Sequence, residues 1–269
     1  MARLLAHRLL LLEPLGEGGT ATVRRTFDLR RRRFRAAKLL PRPAYAGRSP
    51  RADGEAAVRL GHPHVLTVEE VVATPELTVL LMPLARGGTA DRLLAEHGAL
   101  PADFVAVLLD QLLDALAAIH RAGLVHGDVK PANLLLDATG TGRPHLRLAD
   151  FGATVAAGRA ATAGTDRYLA PEALAGAPPD PSQDLFAAGA TAAELLTGRI
   201  HRGSDHLPRG PLRRLLADLL APDPGRRPPE AEIRARLQGL GVPAGAPWQR
   251  RPHPPDVPDR IRHRRLQRR

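Results

Sequence analysis

The stretch HGDVKPANLLL, residues 126–136, places three polar side chains just before an apolar run. In a loop, Asp128 can orient a hydroxyl group and accept its proton. Lys130 can neutralise a transferring phosphoryl group, and Asn133 can offer a carbonyl oxygen to Mg²⁺. These residue types in this order indicate a site for phosphoryl-transfer chemistry.

Lysine and asparagine are scarce in this chain, which makes their positions informative. The chain has 39 lysine and arginine residues together, yet lysine occurs only at positions 38 and 130, and asparagine only at position 133. Arginine carries a planar fork of donors, whereas the lysine ammonium is a compact charge that fits against a single phosphate oxygen. Lys38 and Lys130 therefore indicate positions where a compact cation is needed.

The composition bounds the class of protein. With 269 residues and 43% hydrophobic content, the chain can bury a full core. The absence of cysteine excludes disulfides and thiolate metal sites and fits the reducing cytoplasm, where we expect this protein to act. His7 and Arg8 interrupt the apolar N-terminal run, so this run predicts a first strand and not a signal peptide. No apolar run is long enough to predict a membrane span.

The order of predicted elements indicates an α+β fold with two lobes. Short strand patterns and a single helix fill the first 85 residues, which predicts a small, mostly antiparallel β lobe. From residue 89 the spacing of apolar residues becomes helical. We expect a helix from Pro101 to His120 and further helices at 184–196, 211–220 and 229–237. A larger α-helical lobe therefore follows the β lobe.

Further residues fit a nucleotide site. The segment LGEGGTATV, residues 15–23, lies between predicted strands, so its glycines allow backbone N–H groups to approach phosphates. Lys38 lies within a predicted strand, where a buried cation needs an anionic partner, and Glu55 on the following predicted helix is the candidate. Asp150 in the motif ADFG supplies a second hard oxygen ligand in addition to Asn133.

In this order the motifs resemble those of the eukaryotic-type (Hanks-type) protein kinases, in particular the bacterial Ser/Thr kinases. The resemblance runs from about Leu9 to Leu237 and rests on GEGGTATV, AAK, HGDVKPAN, ADFG, GTDRYLAPE, DLFAAGATAAELLTG and DPGRRP. It implies the bilobal protein-kinase-like fold, with a kinase domain at 9–240. Within that domain it implies an N-lobe at 9–82, a hinge at 83–88 and a C-lobe at 89–240.

The resemblance also implies a role for each candidate residue. Asp128 would be the catalytic base with Lys130 at the γ-phosphate, and Asn133 and Asp150 would bind Mg²⁺. The residues implied to bind ATP are Leu15, Gly16, Gly18, Val23, Lys38, Glu55, Pro83 and Ala85. Structural or regulatory roles are implied for Thr162, Thr165, Glu172, Asp184 and Arg227. Glu172 would form a buried ion pair with Arg227, and Asp184 would brace the catalytic loop.

The sequence departs from the family pattern at two places. Gly127 precedes Asp128 where many protein kinases have an arginine that receives an activation-loop phosphate, so a phosphate at Thr162 has less to pair with. Residues 199–210 are shorter than the usual family stretch, which implies a reduced docking surface. We therefore expect an enzyme that does not depend on the usual phosphorylation switch.

Positive charge is concentrated in two segments. Residues 24–35, at a predicted hairpin tip, carry seven arginines and one aspartate and are expected to form a solvated turn. Residues 250–269 carry eight arginines and two aspartates within a Pro/Arg-rich tail, residues 241–269, that is expected to be disordered. The tail fits an acidic partner. Nucleic acid is disfavoured, since Trp248 is the only aromatic residue near the tail that could stack on a base.

The function implied by the resemblance is transfer of the γ-phosphoryl group of Mg-ATP to a Ser or Thr hydroxyl of a protein, with ATP and Mg²⁺ as cofactors. A small-molecule kinase of the aminoglycoside or choline type is an alternative, because its loop also has HGD with Asn five residues after the Asp. GTDRYLAPE with Arg227 argues against it. A nucleotide-binding pseudokinase is a further alternative, although the residues needed for chemistry are all present.

Overall fold

The chain forms two compact units. The computed structural model describes residues 3–18, 21–41, 60–151, 155–156, 167–200, 207–241 and 255–261. The small unit comprises Met1–Gly61, Val65–Leu84 and Asp150–Ala153, and the large unit comprises His62–His64, Ala85–Ala149 and Thr154–Arg269. The chain passes from the small to the large unit after Leu84, inside the segment predicted as a hinge.

The small unit is built on an antiparallel sheet. Its strands are β1 (Arg3–Leu5), β2 (Leu9–Gly18), β3 (Ala21–Asp28), β4 (Arg33–Pro41), β5 (Glu70–Ala73) and β6 (Leu77–Met82). They lie in the order β1-β2-β3-β4-β6-β5, and each neighbouring pair is antiparallel. The predicted β lobe is thus observed, whereas the helix predicted around Glu55 lies outside the described residues.

The N-terminal segment forms two strands, although the sequence predicted one. Ala6 and His7 have φ angles of 50° and 51°, so the chain turns sharply after β1. The turn folds β1 back on β2, with Leu5 paired to Leu9. This pairing places both leucines in one apolar cluster with residues of β4 and β6, and burial of their side chains stabilises the added strand.

The arginine-rich segment 24–35 is a solvated turn only at residues 29–32. Arg35 on β4 is 1% exposed, so the expectation of a solvated turn is wrong for this residue. It donates to Glu70 at 3.0 Å, and Arg8 donates to the same carboxylate at 2.6 Å. Arg8 also holds buried Asp28 with two hydrogen bonds of 2.8 and 2.6 Å. The guanidinium groups of buried Arg35 and partly buried Arg8 are therefore neutralised by carboxylates within the small unit.

These contacts keep the two carboxylates charged. The hydrogen bond from Arg8 lowers the pKa of Asp28 well below its usual range, against the opposing effect of burial. The same donor lowers the pKa of Glu70 from 4.5 to about 2. Because both folded-state pKa values lie below the unfolded ones, this stabilisation is present near neutral pH and is lost in acid.

The large unit is mainly helical. Its helices are α1 (Ala90–His97), α2 (Ala102–Arg121), α3 (Pro171–Leu174), α4 (Pro181–Thr197), α5 (Arg213–Leu219) and α6 (Glu230–Gly239), with 3₁₀ turns at Pro131–Asn133 and Pro224–Arg226. The strands β7 (Gly88–Thr89), β9 (Leu134–Leu136) and β10 (Leu146–Leu148) form one sheet, and β8 (Leu124–Val125) pairs with β11 (Val155–Ala156). The four predicted helices correspond to α2, α4, α5 and α6. Within the described ranges, no helix is both long and apolar enough to cross a membrane.

Helix α2 forms the centre of the large unit. Leu108, Leu112, Leu116 and Ile119 recur at helical spacing, and each is at most 2% exposed. Pro101 precedes the first turn, where its missing N–H is not needed. The helix packs against α4 and α6, so it fixes where the segments that follow it begin.

Part of the predicted tail is folded. The segment 255–261 lies on the large unit, where Val257 forms a β-bridge with Gly140. Val257 is 0% exposed and Ile261 is 7% exposed. The sequence predicted disorder throughout 241–269, but these two apolar side chains anchor the segment between its prolines and charged residues.

We predict that Asp28→Ala lowers the free energy of unfolding by about 3–5 kcal/mol, because it leaves the Arg8 and Arg35 guanidinium groups without a shared buried partner. Urea denaturation followed by circular dichroism measures the loss. Asp218→Ala is the matched control, since Asp218 pairs with Arg236 at the surface, and it should cost less than about 1 kcal/mol. Equal losses for the two variants would contradict the prediction, because the buried network would then stabilise the protein no more than a surface ion pair does.

Candidate active site

The candidate catalytic residues lie on the loop between β8 and β9. After β8 the chain passes through residues 126–130 into the 3₁₀ turn Pro131–Asn133. Pro131 begins this turn, and the backbone N–H of Asn133 donates to the Lys130 carbonyl at 3.0 Å. The turn brings the Asn133 side chain back to Asp128.

Asp128, Lys130 and Asn133 form one hydrogen-bonded group. Lys130 Nζ donates to Asp128 Oδ2 at 2.7 Å, and Asn133 Nδ2 donates to the same oxygen at 3.0 Å. Asn133 Nδ2 also donates to the Asp128 backbone carbonyl at 2.8 Å. A carboxylate held by two donors is fixed in orientation, as a general base requires. Because the amide nitrogen of Asn133 makes these bonds, its carbonyl oxygen is the atom suited to a metal ion.

His126 links this loop to the residue that precedes Asp150. Its ring is 0% exposed, with Nε2 at 3.2 Å from the Ala149 carbonyl and Nδ1 at 3.3 Å from the Asp128 backbone nitrogen. A carbonyl accepts and a backbone N–H donates, so this geometry fits a neutral ring with its proton on Nε2. The sequence analysis did not select His126, although a histidine directly before Gly-Asp in an apolar stretch was the available signal.

Asp184 on α4 holds the backbone of the same loop. Its carboxylate is 1% exposed and accepts the backbone N–H of His126 at 2.8 Å and that of Gly127 at 2.9 Å. The start of α4 is fixed by Asp180, whose side chain accepts from the Ser182 N–H at 2.8 Å. The structure therefore brings Asp184 to the loop that the resemblance implied it would brace.

Gly127 adopts a backbone conformation that favours glycine. Its φ angle is +77°, in the region where a Cβ atom meets the neighbouring carbonyl oxygen. The hydrogen bond to Asp184 holds its N–H in this conformation. The backbone thus gives a reason for glycine at this position that is separate from the missing arginine.

His120, near the end of α2, joins Asp184 to α6. Its Nε2 lies 2.8 Å from Asp184 Oδ2, and its Nδ1 is hydrogen-bonded to Glu230 Oε1. Burial alone would lower the pKa of His120, but the hydrogen bonds to Asp184 and Glu230 outweigh it and raise the pKa to about 9. At neutral pH the ring is therefore a cation between two carboxylates. The sequence analysis placed His120 in a helix and gave it no role.

In the small unit, Lys38 pairs with Asp150. Lys38 Nζ donates to Asp150 Oδ1 at 2.8 Å, and the lysine side chain is 11% exposed. Asp150 has a φ of +64°, a conformation that aspartate tolerates better than most residues, and the following Phe151 is 2% exposed. The partner that the sequence analysis expected for Lys38 was Glu55, which lies outside the described residues, and the pair with Asp150 was not predicted.

The other implied ATP-binding residues lie on β2, on β3 and after β6. Gly16 pairs with Val23 and Gly18 with Ala21 across β2 and β3, so these glycines lie on strands, whereas the sequence placed the glycine-rich segment between strands. Leu15 is exposed on β2. Pro83 and Ala85 follow β6, and both are partly buried.

Glu172 and Arg227 form the pair that the resemblance implied. Arg227 donates to the Glu172 carboxylate at 2.5 and 2.8 Å, and its side chain is 0% exposed. It also donates to the Ser182 carbonyl at 2.9 Å, which ties the pair to the start of α4. Thr162 and Thr165, the other two regulatory candidates, lie outside the described residues.

The oxygen donors of Asn133 and Asp150 suit Mg²⁺ in their chemistry. Mg²⁺ prefers hard oxygen ligands and usually keeps several waters, with one or two protein carboxylates and the phosphates of a nucleotide completing its shell. Across the ranges that the structure describes, there is no cluster of three or more His, Cys, Asp or Glu side chains that could hold a metal ion.

We predict that Gly127→Ala lowers the free energy of unfolding by about 1–2 kcal/mol, because alanine is strained at a positive φ. Chemical denaturation measures the change. Gly239→Ala is the control, since Gly239 lies within α6 with open space around its Cα, and alanine there should stabilise the helix by up to about 1 kcal/mol. If both substitutions stabilise the protein, Gly127 is not conformationally required.

A second prediction concerns pH. The pKa of His120 is raised above the unfolded value of 6.5, so its stabilisation is fully present below pH 6.5 and is lost as the pH rises through about 9. Wild-type protein should lose about 3 kcal/mol of stability across this window in excess of His120→Gln, which has no titrating ring. Denaturation curves at several pH values check this, and parallel curves for the two proteins would contradict it.

The known proteins that this chain resembles are protein kinases. Residues 10–207 match the family model described as the protein kinase domain. The chain is 38% identical over 206 residues to the serine/threonine-protein kinase PknL of Mycobacterium tuberculosis, an alignment that covers 72% of this chain and 50% of PknL. It is 37% identical over 217 residues to the serine/threonine-protein kinase PkaA of Streptomyces coelicolor, with 70% of this chain and 40% of PkaA covered.

A plant protein shows a similar match. The CBL-interacting protein kinase 4 of Oryza sativa subsp. japonica is 37% identical over 235 residues, which cover 77% of this chain and 49% of that protein. The chain thus spans half or less of the length of these relatives. Because the family model matches most of its residues, this chain belongs to the protein kinase family.

Proposed function

We propose that this chain is a serine/threonine protein kinase that transfers the γ-phosphoryl group of Mg-ATP to a protein hydroxyl. The observation that carries the proposal is the group Asp128, Lys130 and Asn133, in which an ammonium and an amide fix one carboxylate oxygen at 2.7 and 3.0 Å. The names of the similar bacterial proteins support the same reaction.

In this proposal Asp128 acts on the acceptor hydroxyl. The hydroxyl oxygen attacks the γ-phosphorus, the bond from that phosphorus to the β–γ bridging oxygen breaks, and the hydroxyl proton passes to Asp128. Lys130 Nζ, 2.7 Å from Asp128 Oδ2, is suited to stabilise the negative charge on the transferred group. Asn133 and the backbone contacts to Asp184 keep the carboxylate oriented.

Nucleotide binding is assigned to the small unit and the hinge. Lys38 would contact the α- and β-phosphates, and the hairpin that carries Gly16 and Gly18 would cover them. The backbone of Pro83 and Ala85 would hold the adenine edge. Mg²⁺, when bound, neutralises phosphate charge, and the oxygens of Asn133 and Asp150 are the protein groups suited to hold it.

The pair of Glu172 and Arg227 favours a protein substrate. In the kinases that the sequence resembles, this pair ties the activation segment to the large lobe, and small-molecule kinases of the aminoglycoside or choline type lack it. Here the fully buried Arg227 side chain holds Glu172 through two hydrogen bonds and also reaches the Ser182 carbonyl. A buried guanidinium with these partners supports the same role for the pair in this chain.

We expect the 269-residue chain to transfer label from γ-labelled ATP to a generic basic protein in the presence of Mg²⁺. Asp128→Asn should lower the rate at least about 100-fold, because the amide cannot accept the hydroxyl proton, and Lys38→Arg should lower it because the fork does not replace a compact charge. Asp128→Asn should still bind ATP. Turnover only when an aminoglycoside or choline is added would favour the small-molecule alternative, and nucleotide binding without turnover would favour a pseudokinase.

We also expect Thr162→Ala to keep its activity within about tenfold of wild type, since Gly127 offers no cation to a phosphate at that position. Initial rates of phosphoryl transfer measure this, with Asp128→Asn as the inactive control. A larger loss would show that phosphorylation at Thr162 regulates the enzyme through another cation.

A further inference from the structure

The segment 255–261, here called the strap, is docked on the large unit by its backbone. Val257 and Gly140 exchange two backbone hydrogen bonds of 2.9 Å each. Val257 and Ile261 are buried, so apolar contacts reinforce the pairing. The strap is therefore a folded part of the large unit, even though its sequence, PDVPDRI, is rich in proline and charge.

Arg260 connects the strap to residues 86–88 and to helix α1. Its backbone N–H donates to the Arg86 carbonyl at 2.9 Å, and its Nε donates to the Gly87 carbonyl at 2.7 Å. Its terminal nitrogens donate to the Glu96 carboxylate at 2.7 and 2.5 Å, and the side chain is 11% exposed. One residue thus binds a carboxylate with its fork and two consecutive carbonyls with its other donors.

Arg86 binds the strap in return. Its Nε donates to Asp259 Oδ1 at 3.2 Å, and its Nη2 lies 3.4 Å from the Ile261 carbonyl. Asp259 and Ile261, on either side of Arg260, therefore contact the side chain of Arg86, and Arg260 itself binds the backbone carbonyl of Arg86. The contact is reciprocal, which limits the movement of either segment alone.

Gly87 and Gly88 provide the space that the strap occupies. A Cβ atom at Gly87 would lie 2.6 Å from Cγ1 of Val257, and one at Gly88 would lie 2.7 Å from Cδ of Arg260. Both distances are too short for a real Cβ contact. A Cβ atom at Gly87 would also lie 2.7 Å from the Asp137 carbonyl oxygen and 2.8 Å from that of Leu136, so the strap and the backbone after β9 both restrict this position to glycine. The two consecutive glycines in LARGG thus match the close approach of this segment.

We propose that Arg260 is a positioning residue for nucleotide binding that acts through the backbone carbonyls of Arg86 and Gly87. The inference rests on the proposed function, which assigns the backbone of Ala85 to the adenine edge. Arg86 and Gly87 follow Ala85 directly, and their carbonyls are held by donors of Arg260. A segment that is already ordered loses less conformational freedom when a ligand binds. Arg260 therefore strengthens nucleotide binding without touching the reacting groups.

The test compares Arg260→Ala with wild type in the 269-residue chain. The Kd of a fluorescent ADP analogue is measured by titration, and kcat and the KM for ATP by phosphoryl transfer to a basic protein. We expect Kd and KM to rise about fivefold or more, while kcat stays within about twofold of wild type. Arg260→Lys should give an intermediate rise, because it keeps the charge and loses the fork.

The control is Arg236→Ala, which removes exposed pairs with Asp218 and Glu232 on the large unit and should leave Kd unchanged. Glu96→Gln is a milder second variant, expected to raise Kd by less than Arg260→Ala does. The double variant Arg260→Ala with Glu96→Gln should bind nucleotide no more weakly than Arg260→Ala alone, because both substitutions break the same contact, the one between Arg260 and Glu96.

The outcomes separate the two proposals. Wild-type protein that binds no nucleotide would overturn the proposed function itself. If wild type binds nucleotide and the folded Arg260→Ala and Glu96→Gln variants bind it equally well, the role of Arg260 is wrong and the kinase assignment stands. A fall in kcat with unchanged Kd and KM would also overturn the role of Arg260.

Discussion

Asp184 accepts the backbone N–H groups of His126 and Gly127 while its carboxylate is almost completely buried. A buried carboxylate is stable only where hydrogen bonds and a positive charge replace its lost hydration. His120 supplies that charge through one ring nitrogen, and its other nitrogen is hydrogen-bonded to Glu230. The shape of the candidate catalytic loop therefore depends on how α2, α4 and α6 pack together. The loop residues themselves contribute mainly the side chains that would do chemistry.

Arginine and lysine have different structural uses in this chain. Several arginines spread their forks over more than one partner, as when partly buried Arg8 joins Asp28 to Glu70 and buried Arg227 joins Glu172 to backbone carbonyls. Each lysine donates to a carboxylate oxygen, Lys38 to Asp150 in the small unit and Lys130 to Asp128 in the large unit. The planar fork suits multi-partner structural contacts, and the compact ammonium suits a position that a phosphate oxygen can share.

The sequence predicted most of the architecture and missed contacts between distant segments. The α2 helix followed from the spacing of its apolar residues, and the order of motifs identified Asp128 and Asp184 as candidates. His120 could not be selected, because its role depends on α6, which lies 110 residues away and carries Glu230. Composition also misjudged the tail. Proline and charge predict disorder on average, whereas the fold of the strap depends on the burial of Val257 and Ile261.

The strap also bears on how the chain folds during synthesis. The contact of Arg260 with Glu96 joins residues 164 positions apart, so closing it requires ordering a long stretch of chain. Sheet pairings in the small unit, such as Leu9 with Asp28, span far shorter loops and can form soon after these residues leave the ribosome. On the proposed role of Arg260, a nascent chain would complete its candidate catalytic loop once α6 has folded, and would acquire full affinity for nucleotide only after that. High affinity would then be a property of the chain only after residue 260 has emerged.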